Sequence, residues 1–223
     1  MTTKGLTLYG SLPTRVGRPL WLLNELNLPC TFVDVDLRAG GQFAAEFTTL
    51  NPAGKVPVLT DGTFTITESA AICLYLAERY GGGRFLPENP FDRALMHQWM
   101  FFLATEIEQP LWRMALHKFG YDKAERNAGE IELAKRDCRR MISVLDSHLE
   151  SREFMVGQAL SVADFIAAYT LDWAEAEGLL EGAPKAEAYL KKMYARPLAP
   201  PRIKEAYAAK SAGRALPRLR EFK

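Results

Sequence analysis

The period of apolar and polar positions changes several times along this chain. Gly5–Tyr9 (GLTLY) reads as a short strand, followed by the loop GSLPT. Arg15–Leu26 then sets Val16, Leu20, Trp21 and Leu23 on one face of a helix, which Leu28-Pro29 ends. Cys30–Leu37 (CTFVDVDL) alternates, the mark of a half-buried strand. A glycine-containing loop at Arg38–Gln42 leads to a short, poor helix at Phe43–Leu50. Val56–Thr60 and Thr63–Thr67 are β-rich runs separated by Asp61-Gly62, a strong hairpin signal. From Ala70 to Tyr80 the helical spacing returns through Ile72, Tyr75, Leu76 and Tyr80. The order β-α-β-α-β-β-α predicts a mixed sheet covered by helices.

Gly81-Gly82-Gly83 stops that helix, and Pro87 and Pro90 mark a linker. Beyond it the pattern is helical. Phe91–Phe119 carries Leu95, Trp99, Phe102, Ile107, Leu111 and Trp112, with an interruption near Pro110. Lys123–Leu149 repeats Ile131, Ala134, Cys138, Met141, Leu145 and Leu149 along one stripe. Ser161 and Asp164 form a capping box ahead of an apolar helix, with Asp in the usual Glu position. Shorter helices follow at Lys185–Ala195 and about Arg202–Ala209, and residues 211–223 read as a basic, proline-broken tail. The expected organisation is an α/β domain over 1–81, a linker over 82–90 and an all-helical domain over 91–223.

Composition narrows the function classes. The chain has 223 residues, 25% charged and 48% apolar, which is globular composition. A net charge of +1 favours neither nucleic acid nor an anionic membrane. Three cysteines, Cys30, Cys73 and Cys138, lie far apart and offer neither a disulfide framework nor metal-ligand spacing. Cys30 and Cys73 sit in apolar runs, as small core residues do. MTTKGLTLYG lacks a signal-peptide apolar run, and no stretch could span a bilayer, so a cytoplasmic location is expected.

The candidate chemistry lies in Asn51–Ser69, NPAGKVPVLTDGTFTITES. Pro57 has no N–H, so it belongs at the first residue of its strand or on an edge, and it is a candidate for the cis form. A cis bond would leave the N–H and C=O of Val56 free to pair with an extended ligand, as an added strand does. Glu68 and Ser69 start a helix, whose unpaired N–H groups attract an anion. Ser69 would hold a carboxylate, Glu68 would accept from an ammonium, and Lys55 would meet a second carboxylate. These parts suit a small peptide carrying carboxylates.

NPAGKVPVL followed by TES resembles the glutathione-binding half of the cytosolic glutathione transferases. The start LYGSLPTRVGRPLWLLNELNLP is similar to bacterial-type transferases with LYGSPLSR-like openings, and GQALSVADF to the capping segment of their second domain. The resemblance implies a thioredoxin-like first domain, without the Cys-x-x-Cys pair of disulfide exchange, and an all-helical second domain. It implies a homodimer that uses glutathione as co-substrate against a small hydrophobic electrophile. By position, Gln42 and Lys55 would contact the glycyl carboxylate. Val56, before Pro57, would pair with the cysteinyl backbone, and Glu68 and Ser69 would hold the γ-glutamyl end.

Such an enzyme must favour the thiolate, because the thiolate is the nucleophile. The hydroxyl donor should sit at the end of the first strand or in the first turn of the first helix. Thr14 occupies the serine position of the bacterial-type start, with helix N-capping as its alternative role. Ser11 matches a second register, and Tyr9 a third, though Tyr9 also suits core packing. Arg18 would add positive potential near the sulfur or serve in an ion pair. No cysteine lies between Tyr9 and Arg18, which argues against the members that form mixed disulfides with glutathione. Glutathione-dependent peroxidase, isomerase or dehalogenase chemistry and a non-catalytic interaction role remain the alternatives.

Overall fold

The computed structural model describes residues 5–212. The chain divides into two compact units, one of residues 5–84 and 197–212, the other of 85–196.

The first unit opens with β1 (Leu6–Gly10), α1 (Gly17–Leu26) and β2 (Cys30–Asp34). A single 3₁₀ turn at Gly41–Phe43 precedes α2 (Ala45–Leu50). Then come β3 (Val58–Asp61), β4 (Phe64–Thr67) and α3 (Ser69–Tyr80). The four-stranded sheet has the order β2-β1-β3-β4. β1 runs parallel to β2 and antiparallel to β3, and β3 is antiparallel to β4. This is the mixed sheet that the pattern predicts. Side chains alternate between its faces. Leu6, Leu8 and Leu59 are fully buried, as are Trp21 and Leu22 of α1 and Ile72 and Leu76 of α3. α1 and α3 pack on each other, and α3 on β3 and β4. On the other face, Val35, Phe47 of α2 and Val58 form a small core, against which Tyr9 and Val56 pack.

Several boundaries differ from the sequence reading, each for a physical reason. α1 begins at Gly17, not Arg15, because Thr14, Arg15 and Val16 make a turn in which Gly17 N–H reaches Thr14 C=O at 3.0 Å. β3 begins at Val58, not Val56, because Pro57 has no N–H for the ladder; the Val56–Pro57 bond is cis. β2 ends at Asp34, after which the chain turns and Gly41 N–H reaches back to Asp36 C=O.

The second unit contains α4 (Pro90–Phe102), α5 (Gln109–Ala115), α6 (Ala128–His148), α7 (Val162–Ala176) and α8 (Pro184–Tyr194). The interruption expected near Pro110 is a widened π-helical stretch at Leu103–Glu108, which carries the helix past a proline. α6 starts at Ala128, where the Asn127 side chain caps Gly129 N–H, five residues later than the apolar stripe suggests. α7 packs against α4 and α8. Its capping box is present, and the buried Asp164 carboxylate receives Ser161 N–H and Oγ–H, Met155 N–H and Tyr189 O–H at 2.6–2.9 Å. Burial pushes this carboxyl up, and those donors oppose the shift.

The last described helix, α9 (Ile203–Ser211), belongs to the first unit, although the apolar pattern groups it with the helical domain. Of the basic tail, residues 213–223 lie outside the described residues. Among the described residues, no helix is long and apolar enough to cross a membrane.

Candidate active site at one end of the sheet

Strand register brings three loops together. Tyr9 lies opposite Val58, and Val58 opposite Thr67. The end of β1, the Val56–Pro57 bond before β3 and the Glu68–Ser69 step after β4 therefore share one end of the sheet. β2 ends there too, with Asp34 beside Gly10 and Val35 N–H on Gly10 C=O at 2.9 Å. Gly10 is needed at this crossing, because a Cβ would lie 2.4 Å from a methyl group of the buried Val16.

The residues expected to bind a ligand gather there. Val56 stands outside the paired part of β3, and no ladder or turn bond among the described residues uses its N–H or C=O. Its neighbour Asn51 is buried and shapes the turn, donating to Lys55 C=O at 2.7 Å and accepting from Ala53 N–H at 3.1 Å. Gly54, at φ +60°, lies against Phe43, whose ring would be 2.8 Å from an added Cβ. The same spot is 3.3 Å from Gln42 C=O, so Gln42 and Lys55 are near neighbours in space. The Gln42 amide oxygen is buried with no partner among the described residues, and the amide can present its oxygen or its NH₂ at that point. The Lys55 side chain is exposed.

Glu68 is exposed and holds φ +67°, a conformation that non-glycine residues adopt rarely and that clusters at ligand sites. It precedes α3 without capping it by side chain, so the first N–H groups of the helix face the site uncapped. Ser69, the first helical residue, is buried, and its Oγ accepts from Arg18 at 3.0 Å. Arg18 is itself buried, so its guanidinium lies inside the unit. A guanidinium only donates, which leaves the Ser69 proton available to a bound carboxylate.

The hydroxyl candidates separate by environment. Tyr9 packs against Val35, Phe47 and Val58, the core position considered for it. Thr14 is half-buried, and its Oγ1 takes Val16 N–H at 3.4 Å, a long bond ahead of α1 and not a cap of it. Ser11 is fully buried and accepts from Lys210 Nζ of α9 at 2.8 Å. The Leu12–Pro13 bond between the two candidates is cis. None of the three thiols is near ionisation. Burial pushes Cys30, Cys73 and Cys138 each up to about 12, far from a thiolate at neutral pH. Among the described residues no group of His, Cys, Asp or Glu could hold a metal ion.

Sequence reasoning missed three of these contacts. Asn51 has a signal, its place in NPAGK. Arg18 has a weaker one, a cation inside an apolar helix. Lys210 has none, because it lies 199 positions from Ser11.

Residues 4–78 match the family model described as the glutathione S-transferase N-terminal domain, and residues 93–197 the one described as its C-terminal domain. This chain belongs to the glutathione S-transferase family. It is 32% identical over 204 residues to the mouse (Mus musculus) protein named glutathione S-transferase theta-2, covering 86% of this chain and 81% of the relative. It is also 32% identical over 160 residues to the Escherichia coli protein named disulfide-bond oxidoreductase YfcG, covering 68% and 73%. Among solved structures, glutathione transferase URE2P8 of Phanerochaete chrysosporium, crystallised with oxidised glutathione, superposes with a TM-score of 0.80. That match covers 96% of this chain and 99% of the other, at 25% identity. The expected thioredoxin-like domain with a helical domain is thus the fold of this family.

Proposed function

We propose that this chain, a glutathione transferase by family, binds glutathione at the end of its sheet and directs the thiolate at small electrophiles. One observation carries the reading. The uncommitted backbone of Val56 and the uncapped start of α3, with Ser69 gripped by Arg18, converge on one end of the sheet. Val56 would pair with the cysteinyl backbone. Ser69 and the first N–H groups of α3 would hold the γ-glutamyl carboxylate, and Glu68 its ammonium. Gln42 and Lys55 would receive the glycyl carboxylate.

The subtype is of the hydroxyl kind, on the bacterial-type pattern. Thr14 and Ser11 stand on the loop leaving β1, and no thiol of the chain is near ionisation. Each unit by which the glutathione thiol falls below about 8.5 requires about 1.4 kcal/mol of preference for the thiolate. A hydroxyl donating to the anion supplies a preference of that size. The thiol proton leaves to solvent. The sulfur lone pair then forms a bond to an electrophilic carbon, which either accepts it by addition or expels a leaving group with its electron pair. Free cysteines fit a cytoplasmic protein, and the exposed Phe91 and Phe101 of α4 fit a homodimer interface.

Retention on glutathione-agarose and turnover of glutathione with a reactive aryl halide test the proposal together. Both are expected; a folded protein that shows neither would end it. A second reading, glutathione-dependent redox chemistry, is favoured by the relative named disulfide-bond oxidoreductase. It predicts turnover of a small disulfide with glutathione that exceeds turnover of the aryl halide.

A further inference from the structure

The β3–β4 turn contains a reactive dipeptide. Register places Asp61 opposite Phe64, so Asp61 is the last residue of β3 and the loop is Gly62-Thr63. Gly62 takes φ +60° at the first loop position, where a type II′ hairpin turn needs glycine. A Cβ added there would meet nothing within 4 Å. Gly62 and Thr63 are exposed, and among the described residues no ladder or turn bond uses the Gly62 N–H.

An aspartate in this setting has a side reaction. The next residue's nitrogen can close a five-membered ring on the side-chain carboxyl, and glycine has no side chain to hinder the approach. The Gly62 nitrogen attacks Asp61 Cγ and forms a C–N bond. The carboxyl OH leaves with the amide proton as water, and a succinimide remains. Water then adds to one ring carbonyl and breaks its bond to the nitrogen. Opening at Cγ restores aspartate. Opening at the main-chain carbonyl leaves isoaspartate, with the chain running through Cβ and Cγ. No other reactant is needed.

What the fold withholds is the carboxyl. Tyr75 and Tyr80 of α3 both donate to Oδ2 of Asp61, Tyr75 at 2.6 Å. The Phe64 ring lies 4.9 Å from that of Tyr75, and Tyr75 meets Tyr80 edge-on at 6.3 Å, which keeps both phenols beside the turn. Arg79 of the same helix adds a positive charge. These groups hold the carboxyl below its ordinary value, so the neutral acid that releases water is scarce. Any rotation of the side chain onto the Gly62 nitrogen strains or breaks both bonds.

We infer that Asp61-Gly62 is a latent modification site, open to isoaspartate formation, and that Tyr75 and Tyr80 guard it by holding the Asp61 carboxylate. An isoaspartate there adds a backbone atom at the end of β3 and disrupts the pairing of Asp61 with Phe64.

Ageing of the full-length protein tests it. Wild type, Tyr75→Phe, Tyr80→Phe and the double variant are incubated for weeks at mildly acid pH. Isoaspartate at position 61 is counted by mass spectrometry, with fragmentation that separates the two linkages. A synthetic peptide of residues 58–67 gives the rate without the fold, and circular dichroism shows that each variant is folded. Wild type should age slowest and the peptide fastest. The double variant should form isoaspartate roughly tenfold faster than wild type, the effect of losing a charge-assisted hydrogen bond. Each single variant should fall between. A folded double variant that ages at the wild-type rate would overturn the proposal, because the turn alone would then be the protection. So would a wild type that ages as fast as the peptide. If the double variant does not fold, the single variants carry the same test, and wild-type rates in both would overturn it.

Discussion

At Ser69 the fold and the proposed chemistry meet in one residue. It begins α3, it is buried, and Arg18 commits its oxygen to accepting. Its proton is then a donor that folding has left unused. Ser69→Ala removes that donor and leaves the Arg18 guanidinium facing a methyl group. Calorimetry should show glutathione binding weaker by about 1–3 kcal/mol, the cost of losing a hydrogen bond to a charged group. Unchanged affinity would remove Ser69 from the site. TES was legible here because helix starts have a residue signature. The Arg18 grip was only half legible. A cation in an apolar helix announces that it has a partner, but not which one among residues 51 positions away.

At the scale of elements, a carboxylate ties the β3–β4 hairpin to α3 beside the ring contact of Phe64 with Tyr75. Asp61, opposite Phe64 at the turn, accepts from Tyr75 O–H at 2.6 Å and from Tyr80 O–H. Those two donors hold the Asp61 carboxyl below its ordinary value, and burial with the neighbouring Asp61 pushes Tyr75 up to about 12. The tie holds the second half of α3 to the hairpin turn, at the end of the sheet away from Glu68 and Ser69. Asp61→Asn should cost about 1 kcal/mol at neutral pH, a modest figure because the site is largely solvated. The folded carboxyl titrates below its unfolded value of about 3.9. The advantage of wild type over the variant is therefore complete above that pH and shrinks as pH falls through the folded value. Chemical denaturation at pH 7 and pH 3 reads the difference; an equal gap at both would contradict the tie.

The same elements show what sequence can and cannot carry. The existence and type of the main elements from β1 to α8 were legible, from strong apolar periods in most and from the turn signal at the hairpin, though α4 and α5 read as one interrupted helix. Edges were less so. Pro57 displaced the start of β3, the Thr14–Val16 turn displaced that of α1, and Asn127 displaced that of α6. Each depends on a local backbone choice that period alone does not encode. The π-helical turns around Pro110 have no sequence signature beyond the proline.

At the scale of the molecule, the glutathione S-transferase family accounts for both units, since its two domain models match residues 4–78 and 93–197. The chemistry proposed for the first unit reduces to one task, holding a tripeptide so that its sulfur is an anion. Most of the residues proposed to hold it come from the short segment from Asn51 to Ser69, which the sequence alone singles out. The hydroxyl candidates Thr14 and Ser11 were legible too, from their place after β1, but the contact of Lys210 with Ser11 was not, because a returning helix supplies it. A pH titration of the thiolate absorbance of glutathione bound to wild type, beside Thr14→Ala, tests that task most directly. The predicted result is a thiol pKa one to two units below about 8.5 in wild type, moving back toward the free value in Thr14→Ala. Glutathione bound with an unshifted thiol would contradict the account, because the pocket would then hold the tripeptide without activating it.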